Sequence, residues 1–452
     1  MDLTSHQLNI STQVIQHLRL PKAMITLSGK AGVGKTYVLV SIIKQLVNDK
    51  ELSPLVIVAP THKATQVIRE KLIENKISVE CSTLASFLKI MPTRVKDKEI
   101  YEPNWDAIIG INTLIIDESS MVSITLMEYL IKAIELKLIK RILFCGDQYQ
   151  LPPVLSYEQK QRGIDPRKIP AFDLPTFELT EIVRQKIGNP IIDLSDAIRI
   201  NITKDVVFNF NNSKWKSNTI DVMSEDQAMN YYVSQGIKDN NYFINNRILA
   251  YANADVDRFN QKIRLKLYGD HIEEYITDEV VITQKPIVIQ KRNPTFDSKS
   301  QVSKSNPRII TEILLNNGDE FNLPQLHNIV VEEIYDNKIY KFSVFEIILH
   351  IDYEMPTIFW IVQSQSNDIV TSLLKSYATK GNWKAYWKLK DKILKLKHSF
   401  AMTIHKSQGS TLDTAFMYMK LPGKYNIFDH NRLFYVGVTR PSDKLVIINP
   451  WL

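Results

Sequence analysis

Short apolar runs that stop at polar or glycine residues punctuate the first 185 positions of this chain. Met24–Gly29 (MITLSG), Leu55–Pro60 (LVIVAP), Thr113–Glu118 (TLIIDE) and Arg141–Asp147 (RILFCGD) are of this kind. A strand covered on both faces reads as a continuous apolar run, so these segments predict buried parallel strands with function at their carboxyl ends. Helical stretches at Thr36–Asn48 and Lys63–Glu74 lie between them, and the alternation predicts an α/β parallel sheet. A second series begins near Pro190. It comprises helix Ile191–Ile200, strand Arg247–Asn253, helix Asp255–Gly269, strand Ser399–His405, strand Thr414–Met419, helix Phe428–Arg440 and strand Lys444–Asn449. The stretch 270–395 between them is β-rich, with hairpin signals at Asn317-Gly318 and Asp336-Asn337. It predicts a small β-barrel inserted into the second α/β domain, and the polar, basic segment 291–308 predicts a mobile loop.

Composition changes this picture little. Length allows about three domains, and 44% hydrophobic with 23% charged residues is an ordinary globular balance. A net charge of +7 with a pI near 9.0 fits a polyanionic partner without requiring one. Two cysteines, Cys81 and Cys145, are too few for a disulfide framework or a four-cysteine zinc site and predict reduced thiols. The N-terminus MDLTSHQLNI is neither a signal peptide nor a lipidation site. With no apolar run of membrane-spanning length, the expectation is a soluble protein of the cytoplasm, nucleoid or nucleus.

The chemistry begins at Gly29-Lys-Ala31-Gly32-Val33-Gly34-Lys35-Thr36, a complete P-loop pattern that follows a strand and opens a helix. Glycines there let backbone N–H groups face the phosphates of ATP at the positive end of the helix. Lys35 would reach the β- and γ-phosphates, and Thr36 would place its hydroxyl on Mg²⁺. Asp117 and Glu118 end a later apolar run. Asp117 suits Mg²⁺ coordination and Glu118 suits activation of the attacking water. These two motifs define an NTPase and no more.

The remaining motifs resemble, in order, those of superfamily 1 helicases, in the RecD/Dda-like branch. The resemblance covers nearly the whole chain and is weakest in 270–395. Leu3-Thr4-x-x-Gln7 resembles the Q motif, in which Gln7 would hydrogen-bond adenine; a surface glutamine is the alternative. Ala59-Pro-Thr61-His62-Lys-Ala64 resembles motif Ia and Ser82-Thr83-Leu-Ala85-Ser86 motif Ib, with Ala85 where the family often has His. Gly146-Asp147-Gln148-Tyr-Gln150-Leu-Pro152-Pro153 resembles motif III, in which Gln148 would sense the γ-phosphate and the prolines would shape the DNA floor. Leu179–Gln185, Ala401–Gly409 and Tyr435–Arg440 resemble motifs IV, V and VI. The resemblance makes Arg184 and Arg440 arginine fingers, and assigns the strand of nucleic acid to Thr61, His62, Thr83, Pro152, Tyr251, Asn253, Thr403 and His405. Pro441 departs from the small or helix-forming residue usual after the finger.

The implied fold is two RecA-like parallel-sheet domains, at 1–88 with 108–187 and at 188–269 with 396–452. A pin hairpin occupies 89–107, with Tyr101 in its tip region, and an SH3-like β-barrel with a basic helix occupies 270–395. The segment 380–397 holds seven lysines and one aspartate. As a helix it places Lys384, Lys388, Lys392 and Lys395 on one face and Tyr386, Leu389, Ile393 and Leu396 on another. Phosphate tracking and a merely solvated basic face both remain open. The implied activity is ATP-driven unwinding or translocation, 5′ to 3′ by resemblance, on single-stranded DNA and forked duplex by a monomeric motor. A single-strand-binding or replication protein is a candidate partner. Alternatives are a translocase without unwinding, a nucleotide-switched binding subunit and an RNA track. No nuclease or zinc signature is present.

Overall fold

The computed structural model describes residues 3–449 except 31, 97, 154, 156, 166, 182–187, 240–241, 271–272, 286, 293–308, 316–319, 350–355 and 421–426. The chain divides into two compact units. One comprises Met1–Ile90, Pro103–Phe259 and Ala401–Leu452; the other comprises Met91–Glu102 and Asn260–Phe400.

The first unit holds two parallel sheets. The six strands of the first run in the spatial order Glu80–Thr83, Leu55–Ala59, Ile111–Ile116, Ile139–Gly146, Met24–Gly29, Thr176–Leu179. All four apolar runs read from the sequence are among them. Side chains alternate across a strand, so Ile57, Ile115 and Leu143 enter a core shared with Val14, Leu18 and Leu39 from two helices. Their neighbours Val56, Val58, Leu114 and Phe144 enter a second core with Leu130 and Ala133. Helices therefore cover both faces, which is why the runs are continuous rather than alternating. Five parallel strands form the second sheet, in the order Ala401–Thr403, Asn246–Ala250, Leu412–Tyr418, Pro441–Ile448, Ile220–Met223. Helices Pro190–Lys204 and Ile427–Val438 bury Leu194, Ile198, Leu433 and Phe434 against it. Pro441 opens a strand rather than breaking a helix, because the helix of motif VI has already ended at Val438.

The second unit is built from small antiparallel sheets. Strands Ile90–Val95 and Lys98–Pro103 form a two-stranded hairpin. Three further sheets of three, three and two strands lie within 260–400. The turn at Asp336-Asn337 has both residues at positive φ, 50° and 58°, the backbone a two-residue hairpin needs to match strand twist. The Asn317-Gly318 signal and residues 293–308 of the basic loop lie outside the described residues. Helix Asn367–Thr379, which β-like patterning did not predict, packs Val370, Leu373 and Tyr377 against Phe342 and Val344. The basic helix is shorter than expected, Trp383–Lys392. Ile393 turns extended and Leu396–His398 forms a strand, so Lys395 is not on the helix face assigned to it. Among the described residues no helix is long and apolar enough to cross a membrane.

Candidate nucleotide and nucleic-acid sites

The P-loop joins strand Met24–Gly29 to helix Lys35–Leu46. Gly34 caps the helix at φ 80°, a conformation an L side chain rarely adopts. A Cβ there would also stand 3.0 Å from Gln7 Nε2. Lys35 and Thr36 lie half-buried in the first helical turn. The Lys35 ammonium donates to the Lys30 carbonyl at 3.0 Å. Lys30 itself is buried and grips both oxygens of Asp196, at 2.8 and 2.6 Å, on helix Pro190–Lys204. Gln7 is buried too, so it is no surface glutamine. Its Nε2 donates to the Val33 carbonyl at 3.1 Å and its Oε1 accepts from Thr4 N, closing a capping box on helix Ser5–Leu18. Gln7 thus ties the Q-motif helix to the phosphate loop. Ala31 lies outside the described residues.

Asp117 extends its strand by one bond, from its N–H to the Val58 carbonyl. Glu118 follows at φ 50° and donates its N–H to Asp117 Oδ1 at 2.9 Å. A non-glycine residue held left-handed is stored strain of order 1–3 kcal/mol. Burial, then the adjacent Glu118 charge, pushes the Asp117 carboxyl up to about 6, with Lys35 pulling the other way. Two crowded carboxylates are hard oxygen donors, which suits Mg²⁺. That ion is usually held by one or two carboxylates together with substrate phosphates. Buried Cys145 lies beside Asp117, and burial pushes its thiol well above the ordinary range.

The second sheet supplies Arg440. It is buried and donates to the Val436 carbonyl at 3.1 Å, to the Ser407 and Ser410 carbonyls at 3.4 and 3.3 Å, and to Thr439 Oγ1 at 3.1 Å. Burial lowers its pKa, and the Glu118 charge is the leading opposing influence. Glu118 and Arg440 therefore feel one another across the two halves of the unit. Arg184 lies outside the described residues.

Two residues that sequence reasoning gave no role join motif III to the motif VI helix. Arg432 donates to the Gln148 and Gln150 carbonyls, and burial lowers its pKa to about 10. Tyr435 Oη donates to buried Asp147 Oδ2 at 2.6 Å. Gln408 Nε2 of motif V donates to the Leu151 carbonyl at 3.3 Å. The loop carrying Gln148 and Pro152, both half-buried, is thus braced by the element that carries Arg440. No local signal marks such partners, since each hydrogen bond spans more than 250 residues.

On the expected nucleic-acid side, Thr61 and Thr83 are helix caps, accepting from Ala64 N at 3.2 Å and Ser86 N at 3.1 Å. Thr83 is buried, while Ala85 and Ser86 beside it are exposed. His62 is exposed at the start of its helix. Gly409 of motif V, at φ 73°, approaches so closely that an added Cβ would stand 3.2 Å from Ala64 Cβ and 3.5 Å from Thr61 Oγ1. Motifs Ia and V therefore meet. Tyr251 is exposed with its ring 6.2 Å from that of half-buried His405, whose pKa burial lowers against the pull of Asp429. Thr403 is buried, its hydroxyl accepting from Lys406 N, and Asn253 is exposed at the first turn of helix Asn253–Tyr268.

Tyr101 is exposed but stands within strand Lys98–Pro103. The turn falls at Lys96, at φ 58°, so Tyr101 is not at the tip that the length of the interval suggested. Within the same unit, Trp387 Nε1 donates to the Lys96 carbonyl at 2.9 Å, tying the hairpin turn to the basic helix. Lys384 and Lys388 are exposed. Lys392 instead folds over the Trp360 ring, 3.5 Å from its centre, and burial lowers its pKa.

Residues 12–156 match the model of an AAA domain, and residues 398–448 match that of a UvrD-like helicase C-terminal domain. The ATP-dependent DNA helicase dda of Enterobacteria phage T4 is 26% identical over 97% of this chain and 97% of its own length. The chain is similar to that phage DNA helicase over nearly its whole length. The RecD subunit of the RecBCD enzyme from Buchnera aphidicola (strain Sg) is likewise 26% identical, over 96% of this Dda-like chain and 71% of the subunit. A crystal structure of Pif1 helicase from Bacteroides with ADP-AlF3 and ssDNA covers 99% of this chain and 92% of that one, at 18% identity and a TM-score of 0.49.

Proposed function

We propose that this chain is an ATP-dependent DNA helicase that moves 5′ to 3′ along single-stranded DNA and splits duplex at its hairpin. The observation that carries the reading is the meeting of Lys35, Asp117, Glu118 and Arg440. Glu118 and Lys35 both act on the Asp117 carboxyl, and Glu118 acts on Arg440 from the other half. A site shared by two halves ties nucleotide turnover to relative movement of those halves.

In this reading Gly29, Ala31, Gly32, Val33 and Gly34 cradle the phosphates, and Lys35 binds the β- and γ-phosphates. Thr36 and Asp117 would hold Mg²⁺, whose contribution when bound is to neutralise phosphate charge. Glu118 accepts a proton from the attacking water, Gln148 orients near the γ-phosphate, and Arg184 and Arg440 bring fixed positive charge there. Gln7 serves adenine and the loop together. His62, Tyr251, Asn253 and His405 line the strand, with Thr61, Thr83, Pro152 and Thr403 shaping the backbone behind them. The four-part organisation proposed is motor domains at 1–88 with 108–187 and at 188–269 with 396–452, a pin at 89–107 and an SH3-like barrel at 270–395.

The test is unwinding of duplexes bearing a 5′ or a 3′ single-stranded tail, in DNA and in RNA, with and without ATP. Strand separation only from the 5′-tailed DNA is expected. Turnover with single strands but no separation of any duplex would make the chain a translocase, and preference for RNA tails would move the track.

A further inference from the structure

We propose that Asp196 is a positioning residue for nucleotide binding: from the second half of the motor unit it clamps Lys30 and so holds the phosphate loop. The inference rests on the ATPase reading and adds a residue outside every motif that carries it.

Lys30 occupies a position where the P-loop pattern asks for no particular side chain. Its ammonium is nonetheless buried and engages both carboxylate oxygens of Asp196, at 2.8 and 2.6 Å. The same residue's carbonyl accepts from the Lys35 ammonium at 3.0 Å. One residue therefore touches the phosphate-binding lysine with its backbone and the opposite half with its side chain. Asp196 does not float: it is carried by helix Pro190–Lys204, whose Leu194 and Ile198 are fully buried in the core of the second sheet. A shift of that helix is transmitted to the loop through a pair that solvent screens only in part.

The thermodynamic consequence is specific. A protein whose binding-competent arrangement is populated only in part binds with an affinity reduced by that fraction. The pair holds the halves together without using the nucleotide. Losing it lowers affinity for any nucleotide that needs the loop and the opposite half near one another, while the chemistry of the bound complex is unchanged.

Steady-state ATPase at saturating single-stranded DNA, together with equilibrium binding of MgADP, reads this out. Asp196→Asn is expected to raise KM for ATP about three- to tenfold and the Kd for ADP by a similar factor, with kcat within about twofold of wild type. Asp196→Glu, which keeps the carboxylate, is expected to restore most of both. Asp196→Lys is expected to weaken binding further. Unchanged KM and Kd in Asp196→Asn would overturn the proposal. So would a fall in kcat at constant KM, or an Asp196→Glu variant no better than Asp196→Asn. Absence of turnover in the wild-type protein would remove the ATPase reading instead, and the ADP measurement would still judge the clamp.

Discussion

The cations that brace the motif loops of the motor unit and those on the basic helix of the inserted unit are held in opposite ways. In the motor unit Lys30, Arg432 and Arg440 are buried or nearly so, and each is fixed by named oxygens of a neighbouring helix or loop. In the inserted unit Lys384 and Lys388 stand in water, and Lys392 covers a tryptophan ring. Fixed charge in a shielded site acts strongly because no solvent need reorganise around it. Exposed charge is screened and works only in numbers. Substitutions should therefore fall into two tiers, large in the cleft and small on the basic helix.

Lys35→Ala should have the largest effect. Hydrolysis is expected to be abolished, with single-strand affinity retained. A phosphate-release assay beside a strand-binding titration checks both halves of that statement. Normal turnover would remove the P-loop assignment and with it the contrast between the units.

Arg440→Ala should come next, reducing strand-stimulated hydrolysis by roughly 10³–10⁵-fold while ATP binding persists. Because Arg440 also donates to the Ser407, Ser410 and Val436 carbonyls, melting temperature should fall as well. A loss below about tenfold would mark it as a brace between motifs V and VI rather than a finger.

The inserted unit enters with Tyr101→Ala. Stacking on an aromatic ring is worth roughly 1–3 kcal/mol per base, so unwinding should fall several-fold with single-strand-stimulated ATPase nearly intact. Equal loss of both activities with a lower melting temperature would assign Tyr101 to packing its hairpin.

The smallest effect belongs to Lys384→Gln with Lys388→Gln. If both meet phosphate, the slope of log affinity against log salt should flatten by about 1.4. Adding Lys392→Gln should change the slope no further, since that ammonium faces Trp360. An unchanged slope in the double variant would leave the helix a solvated face.

How far the sequence foretold all this varied with the range of the interaction. The parallel strands were legible because each run is apolar on both faces, a purely local signal. The phosphate loop and the Asp117-Glu118 pair were legible because strand-end chemistry lies next to the strand. Asp196, Arg432 and Tyr435 were not, because their importance lies in partners more than 160 residues away, and a charged or tyrosine residue on a helix looks ordinary until the partner is known. The basic helix was misjudged at its end for a related reason. Helical periodicity continues past Lys392, but Leu394 and Leu396 are claimed by the core of the small sheets around Tyr275 and Phe359. Counting residues between motifs placed the hairpin but not its turn, since the positive φ at Lys96 is set by neither glycine nor asparagine.

The order of strands in the two sheets also sets a timetable for synthesis. Every strand of the first sheet has been made once Leu179 emerges, so that half can condense on the ribosome while most of the chain is still unwritten. The second sheet cannot. Asn246–Ala250 lies between Ala401–Thr403 and Leu412–Tyr418, and Ile220–Met223 waits for Pro441–Ile448. Its early strands must remain unpaired while the 260–400 segment is translated, with their apolar edges exposed meanwhile. The half that carries Arg440 therefore closes only after the inserted unit has been made, on strands drawn from both sides of it.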